Sequence, residues 1–206
     1  MTGSPSIRAQ QAAKRAADVA WSVAFLVLLS PVLGVVALAI RVTSRGEVVF
    51  RQRRIGRDGR PFLIHKFRTM TVGSDRPGVS TYVTRDDPRI TPVGAILRRT
   101  SLDELPQLYN VLKGDMSIVG PRPDLPHHVD RYTNEQRRRL SVRPGITGWA
   151  QVSGRNDLTW EERIELDLEY VDGWSLLLDL LVLAKTVGVV LGGTGAALPG
   201  RTGGPS

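Results

Sequence analysis

The sequence predicts an α+β fold that is mostly helical, with an N-terminal re-entrant membrane helix–break–helix, a small β-hairpin and amphipathic interfacial helices. Three observations predict it. The run Val19 to Ile40 holds 22 residues without a charge and is interrupted by Ser30-Pro31. Two segments alternating apolar with polar residues flank Asp58-Gly59, a good hairpin signal. Trp160, Ile164, Leu168 and Val171 recur at helical spacing and should face a core. At 206 residues the chain fits one domain, or one domain plus a membrane element.

Residues 1–13 are expected as a flexible N-terminus and 14–43 as the re-entrant helix. Residues 44–191 form one domain closing on an amphipathic helix, and the Gly/Pro-rich stretch 192–206 reads as a disordered tail. As one straight helix, Val19–Ile40 would measure roughly 33 Å, enough to span a bilayer core. Length alone therefore favours a transmembrane anchor. A cleaved signal peptide fits worst, since the run is long for such a segment, although Ala37-Leu38-Ala39 imitates a cleavage site. Two details favour re-entry. Pro31 cannot donate to the carbonyl of Val27, so the helix should kink there, and the Ser30 hydroxyl is placed to satisfy the freed group. Both flanks are basic: Arg8, Lys14 and Arg15 precede the run, while Arg41, Arg45, Arg51, Arg53 and Arg54 follow it. Positive residues mark the cytoplasmic side, so both ends should stay there. Val19–Leu29 would then reach roughly 16 Å deep, about half the hydrocarbon core. Asp18 is expected to pair with Lys14 or Arg15 one turn away.

After the membrane segment, Val48 and Phe50, then Phe62, Ile64 and Lys66, read as the two strands of the hairpin. Residues 73–90 read as a loop. Ile96 to Leu112 is expected to be helical, beginning as late as Leu105 because Pro106 belongs in a first turn. Gly120-Pro121-Arg122-Pro123 is a stiffened loop, His127-His128 a solvated surface pair, and Thr133 with Gln136 a capping box for a short basic helix through Arg139. Leu176–Leu191 is apolar but contains Asp179 and Lys185. Asp172, Ser175, Asp179 and Thr186 fall on one face, which suits a helix lying on the membrane or packing on the domain.

The most informative stretch is Ser101-Leu102-Asp103-Glu104-Leu105-Pro106-Gln107-Leu108, directly after Arg98 and Arg99. A carboxylate can attack phosphorus or hold Mg²⁺, arginines neutralise phosphate oxygens, and the free N–H groups of a helix start favour anions. The competing reading is a plain capping box, Ser101 with Glu104. Composition agrees with an anionic partner: 28 basic against 20 acidic side chains give a net charge of +8. Zero cysteines exclude disulfides, thiolate metal sites and a cysteine nucleophile. Nucleic acid is not an expected partner, because aromatics make up 6% of the chain and no binding module appears.

Taken together, the chain resembles the monotopic phosphoglycosyl transferases, the bacterial sugar transferase family, in their small stand-alone form. The matching stretches are Lys14-Arg15-Ala16-Ala17-Asp18, Ser30-Pro31, Lys66-Phe67-Arg68-Thr69-Met70, Thr100 to Leu108, Gly120-Pro121-Arg122-Pro123 and Arg143 to Gln151. The resemblance runs from about Lys14 to Leu191. It implies transfer of a sugar 1-phosphate from a UDP-sugar to polyprenyl (undecaprenyl) phosphate, releasing UMP, as the first membrane step of bacterial glycan assembly. It implies Asp103 as the nucleophile that forms an aspartyl-phosphosugar, and Mg²⁺ as cofactor with Glu104 and Asp103 as its protein ligands. Arg98, Pro121 and Arg122 match substrate-binding positions, and Lys66, Arg68, Arg155 and Gln151 are weaker matches. Ser30 and Pro31 match the re-entrant break. The implied location is the cytoplasmic face of the inner membrane, among phospholipid, with downstream glycosyltransferases and a second copy of the chain as further partners. Ser153 stands where many relatives carry asparagine. The sugar and the glycan stay open. The alternative is a non-catalytic, membrane-associated basic scaffold. It accounts for the charge and the apolar run but not for the acid pair between arginines.

Overall fold

Residues 5–74, 83–84, 86–154 and 158–191 are described by the computed structural model of the chain, which has an α+β fold. It opens on two helices, α1 (Pro5–Leu28) and α2 (Ser30–Thr43), bent by 63° at Leu29. The Ala, Gln, Lys and Arg content before Asp18 is strongly helix-forming. α1 accordingly begins at Pro5, inside the stretch 1–13 expected as flexible. Pro31 sits in the first turn of α2, and the Ser30 hydroxyl donates to the Val27 carbonyl at 2.8 Å. The carbonyl freed by proline thus has the partner the sequence supplies. Among the described residues no single helix is long and apolar enough to cross a membrane; the bent pair passes that test only when taken together. Trp21, Phe25, Val27, Leu28, Val35, Leu38 and Val42 lie exposed along it.

The base of α1 is bolted to the rest of the chain. Lys14 Nζ donates to the Val119 carbonyl at 3.0 Å and to Asp179 Oδ2 at 2.6 Å. The Arg15 guanidinium donates to the carbonyls of Val111 and Leu112, at 2.6 and 3.1 Å. Asp18 does not pair with Lys14 or Arg15. It is buried, and Oδ1 accepts the Ile118 amide at 3.1 Å, because α1 lies across the domain and the nearer cations have stronger tertiary partners.

The hairpin forms as expected. β1 (Val49–Ile55) and β2 (Pro61–Phe67) pair antiparallel, with Val49 opposite Phe67 and Arg51 opposite His65. The connection uses Asp58 and Gly59 at φ 57° and 74°, the left-handed backbone that an Asp-Gly pair tolerates best. The free edge of β2 is closed by one side chain: Asn110 accepts the His65 amide at 3.0 Å and donates to the Leu63 carbonyl at 2.7 Å.

The helix expected over 96–112 is broken. α3 (Pro92–Thr100), capped by Thr91, ends at Ser101 in the left-handed conformation, φ 57°. A single 3₁₀ turn, Leu102–Glu104, follows, and α4 (Gln107–Lys113) begins after Pro106. The Ser101–Glu104 capping box does not form, because Ser101 closes α3 and turns the chain. Two three-residue strands, β3 (Ser117–Val119) and β4 (Gly145–Thr147), neither assigned from the sequence, pair in parallel. Their crossing demands glycine, since a Cβ on Gly145 would lie 2.1 Å from the Gly120 nitrogen.

Next come α5 (Pro126–Val129), a 3₁₀ segment Gln136–Ser141, and α6 (Trp149–Ser153). The Thr133–Gln136 capping box is present, but the helix it opens is 3₁₀. α7 (Trp160–Asp172) turns Ile164 into the core beside Val129 and Tyr132, with Trp160 and Leu168 packed around them. α8 (Leu176–Leu191) buries Val182 against Val119 and Tyr170, keeps Asp179 inside, and exposes Leu177, Leu180 and Val187 on its far side. The stretch 192–206 lies outside the described residues.

Replacing Pro31 with Ala restores an amide donor at the break and should straighten the pair. Spin labels at Gln10 and Arg41 should then move apart in double electron–electron resonance; an unchanged distance would show that tertiary packing, rather than Pro31, holds the bend.

Candidate functional site

The 3₁₀ turn Leu102–Glu104 straddles the end of β2. Leu102 packs with Phe67 in the cluster formed with Val36, Ile40 and Leu97, on one face of the strand. From the other face Lys66 reaches Glu104, with Nζ 2.8 Å from Oε1. The Gly120–Pro123 loop brings Arg122 to the same carboxylate, Nη2 to Oε1 at 2.8 Å and Nη1 to Oε2 at 3.5 Å. Lys66 and Glu104 are mostly buried, while Arg122 is half-exposed.

This arrangement separates the two acids electrostatically. Burial works to raise the Glu104 pKa, but Arg122 and Lys66 outweigh it and hold the carboxyl well below its usual range. Asp103 is pushed up to about 6 by burial first and by the Glu104 charge second, against the opposing pull of Lys66, Arg98 and Arg122. Among the described residues Asp103 takes part in no ion pair or hydrogen bond. A carboxylate without partners therefore stands beside one with two, inside a basic basin. Burial lowers the Arg98 pKa, and Asp103 is the charge that most offsets this; Arg98 Nη1 is buried without a hydrogen-bond partner.

Two further cations belong to the basin and carry no local motif. Arg54 of β1 donates to the Pro123 carbonyl at 3.2 Å, and burial and then Arg122 lower it to about 10, still charged at neutral pH. Arg163 of α7 is lowered by burial and then by Arg122, and its Nε is buried without a partner. Arg54 lies within the basic hairpin run, and Arg163 one turn after Trp160 on a helix read only for its apolar face; tertiary folding alone brings them here.

Beneath the loop lies a buried polar network. Arg139 donates to the Arg122 carbonyl at 2.9 Å and also bonds Asp167 and the Tyr132 hydroxyl. Asp124 accepts from Tyr132 at 3.0 Å and holds His128 Nδ1 at 2.7 Å. His128 is thus a half-buried partner of Asp124, against the expectation of a solvated His127-His128 pair. Pro121 fixes the loop through its carbonyl, which accepts the Gly145 amide at 2.9 Å.

Of the positions singled out in the sequence, Lys66, Arg98, Asp103, Glu104 and Arg122 converge here. Arg68 does not join them. It is buried at the exit of α2, donating to the Ser44 carbonyl at 3.0 Å and hydroxyl at 2.8 Å, because the chain turns there to close the base of the helix pair. Ser30 and Pro31 form the helix break. Gln151 carries a buried carboxamide without a partner, and Arg155 lies outside the described residues. No group of three His, Asp or Glu side chains is placed to hold a metal among the described residues. Mg²⁺ needs only one or two carboxylates where phosphates supply the rest. Asp103 and the lightly engaged Oε2 of Glu104 fit that demand.

Because the Asp103 pKa is raised from 3.8 to about 6 on folding, its ionised form costs stability above pH 6. Asp103→Asn should therefore raise Tm at pH 7.5. The gap should shrink as pH falls through 6 and close near 4, in thermal scans of both proteins. A lower Tm for the variant at pH 7.5 would contradict this environment.

A family model described as bacterial sugar transferase matches residues 9–193. The chain is 46% identical over 178 residues to the sugar transferase EpsL of Bacillus subtilis, covering 86% of this chain and 87% of that one. It is 48% identical over 187 residues to the Escherichia coli UDP-glucose:undecaprenyl-phosphate glucose-1-phosphate transferase, covering 84% of this chain but 39% of that one. It is 40% identical over 204 residues to the Salmonella typhimurium undecaprenyl-phosphate galactose phosphotransferase, covering 92% and 42% respectively. The chain thus spans nearly all of one relative and about two fifths of the two longer ones.

Proposed function

The chain belongs to the bacterial sugar transferase family, and from that premise we propose that it transfers a sugar 1-phosphate from a UDP-sugar to undecaprenyl phosphate, releasing UMP. The observation that carries this reading is the pair itself: Asp103, uncommitted and raised to about 6, beside Glu104, held charged by Lys66 and Arg122. The names of the Escherichia coli and Salmonella relatives describe this chemistry with glucose and with galactose, and the sugar taken by this chain is not assigned.

In the first displacement the Asp103 carboxylate attacks the sugar-bearing phosphorus. The bond from that phosphorus to the bridging oxygen breaks, and UMP departs with the electron pair, leaving an aspartyl-phosphosugar. In the second, an oxygen of the lipid phosphate attacks the same phosphorus and the Asp103 carboxylate leaves, regenerated. Two displacements let one site serve a soluble donor and a lipid acceptor in turn. Lys66, Arg98 and Arg122 neutralise the phosphate oxygens, and Arg122 is preorganised by its backbone tie to Arg139. Glu104 and Asp103 would hold Mg²⁺ together with the substrate phosphates, and the ion would supply further charge neutralisation. Glu104 itself keeps Lys66 and Arg122 pointed at the place where the phosphate arrives.

The bent pair α1–α2, apolar and exposed, is read as entering one leaflet from the cytoplasmic face of the bacterial inner membrane and returning. The basic flanks and the 63° bend support this. The chain has no cysteine, so single cysteines at Gln10 and Arg45 report cleanly. Both should label from the cytoplasmic side; labelling from opposite sides would defeat re-entry.

The direct test is UMP release from a panel of UDP-sugars by detergent-solubilised protein with Mg²⁺ and undecaprenyl phosphate. Asp103→Asn should lower turnover by on the order of 10³-fold or more. For the wild-type protein kcat/KM should fall on the acid side with an apparent pKa near 6, since only ionised Asp103 attacks. Full activity in Asp103→Asn would sink the covalent mechanism, and a folded protein silent with every donor would sink the transferase reading.

A further inference from the structure

The cations near the acids form a row longer than a single phosphate needs. On the hairpin, Arg54 and Lys66 share a face, because Phe50, opposite Lys66, and Arg54 stand an even number of positions apart along β1. Arg54 is opposite Phe62, four residues before Lys66, so the two cations are separated by roughly 13 Å along the strand. Arg122 bridges that span. Its guanidinium meets Lys66 on Glu104, and the next residue, Pro123, takes Arg54 Nη1 on its carbonyl at 3.2 Å.

Arg163 extends the row from α7. Trp160, Arg163 and Asp167 follow one another at spacings of three and four, which puts them on one face of the helix. Trp160 Nε1 donates to Asp124 Oδ2 at 3.4 Å, and Asp167 holds Arg139, which donates to the Arg122 carbonyl. Arg163 therefore faces the 122–124 segment, between one residue that touches it and one that supports it, and Arg122 leads the charges acting on it. The side chain is partly exposed, and among the described residues its guanidinium takes part in no hydrogen bond or ion pair. Asp167, one turn on, does not serve it: Oδ2 is committed to Arg139 and Oδ1 has no partner.

One phosphate beside Asp103 is served by the cations that act on that carboxylate, Lys66, Arg98 and Arg122. Arg54 and Arg163 belong to the other end of the row, where Asp124 is the leading carboxylate for each. A polyprenyl phosphate presents one anionic group. A nucleotide diphosphate sugar presents two, joined by a bridging oxygen. Resting on the transferase reading, we propose that Arg163, together with Arg122, binds the nucleotide-side phosphate of the donor and of the departing UMP. In the first displacement the bond between the sugar-bearing phosphorus and the bridging oxygen breaks. Its electron pair goes to that oxygen, which leaves on the nucleotide phosphate, and Arg163 neutralises the charge that grows there. Arg54, tied to Gln52 and to the Pro123 carbonyl, holds the segment in place between them. The second displacement involves no nucleotide, so Arg163 acts on the donor step alone.

The test compares Arg163→Gln and Arg163→Lys in purified full-length protein, using inhibition by UMP and by uridine, which lacks the phosphate. For Arg163→Gln the inhibition constant of UMP should rise about tenfold or more, the loss of a charge-assisted hydrogen bond, while that of uridine stays unchanged. The UMP burst without acceptor should be slower, and the KM for undecaprenyl phosphate should not move. Arg163→Lys keeps the charge and should bring UMP inhibition back to within about threefold of wild type. Unchanged UMP inhibition in Arg163→Gln overturns the assignment; a lower Tm alongside it would give the side chain to Asp167. Equal weakening of UMP and uridine also overturns it, since the phosphate would then not be the group recognised. So does a raised KM for undecaprenyl phosphate with UMP inhibition intact, which would give Arg163 to the acceptor. A wild-type protein that releases no UMP from any donor would overturn the transferase reading, and this assignment with it.

Discussion

Glu104 accepts two cations on one mostly buried carboxylate, and the geometry of the site depends on that contact. Lys66 comes from the hairpin, Arg122 from the loop after β3, and Glu104 from the turn between α3 and α4. Three segments far apart in sequence meet at a single group. A buried lysine and a buried carboxylate are each costly alone; paired, each makes the other tolerable. The pairing also leaves Asp103 with burial and a neighbouring negative charge but without a committed partner. The asymmetry between adjacent acids thus follows from which of them the cations reach: Glu104 is paired and held charged, while Asp103 is raised and uncommitted.

The contact is held from behind. Arg139 ties the Arg122 backbone to Asp167, Tyr132 and Asp124, and Asp124 is tied in turn to His128, Trp160 and the Leu125 amide. Burial disfavours the Asp124 charge, yet the His128 hydrogen bond and Arg139 keep its pKa low. His128, Arg139 and Asp167, from α5, the 3₁₀ segment and α7, thus help fix a short loop that presents Arg122 to Glu104. A site intended for phosphate gains from such rigidity, because preorganised donors need no rearrangement when charge arrives.

Much of this was legible along the chain, and the boundary between legible and hidden has a physical basis. The helix break was readable because proline and serine act on adjacent backbone groups, and the hairpin because alternation and an Asp-Gly turn are local signals. The start of α8 at Leu176 agreed to the residue. The turn that carries the acids was not readable: Ser101 adopts a left-handed backbone that no local preference demands, and tertiary contacts impose it. Strands of three residues, paired across more than twenty positions, leave no periodicity to find. Arg54 and Arg163 reach the basin only through packing, whereas Arg68, inside a matching motif, serves the exit of α2 instead. Asp18 found its partner at Ile118, a contact no helical spacing announces.

The base of α1 joins these levels. Arg15 caps the carboxyl end of α4, the helix that begins just after the acids. Lys14 grips the Val119 carbonyl, one residue before the loop that carries Arg122, and Asp18 holds the Ile118 amide beside it. Asp179 and Tyr170 close the same knot from α8 and α7. Both halves of the site, the acid turn and the arginine loop, are thus registered to one helical turn of α1. With the bent pair seated in lipid as proposed, its depth sets the height of the acids above the membrane. A single straight span would set that height less closely, since it can tilt. On that reading the break at Pro31 limits how deep the pair enters, and the knot at Lys14 carries that limit to the carboxylates.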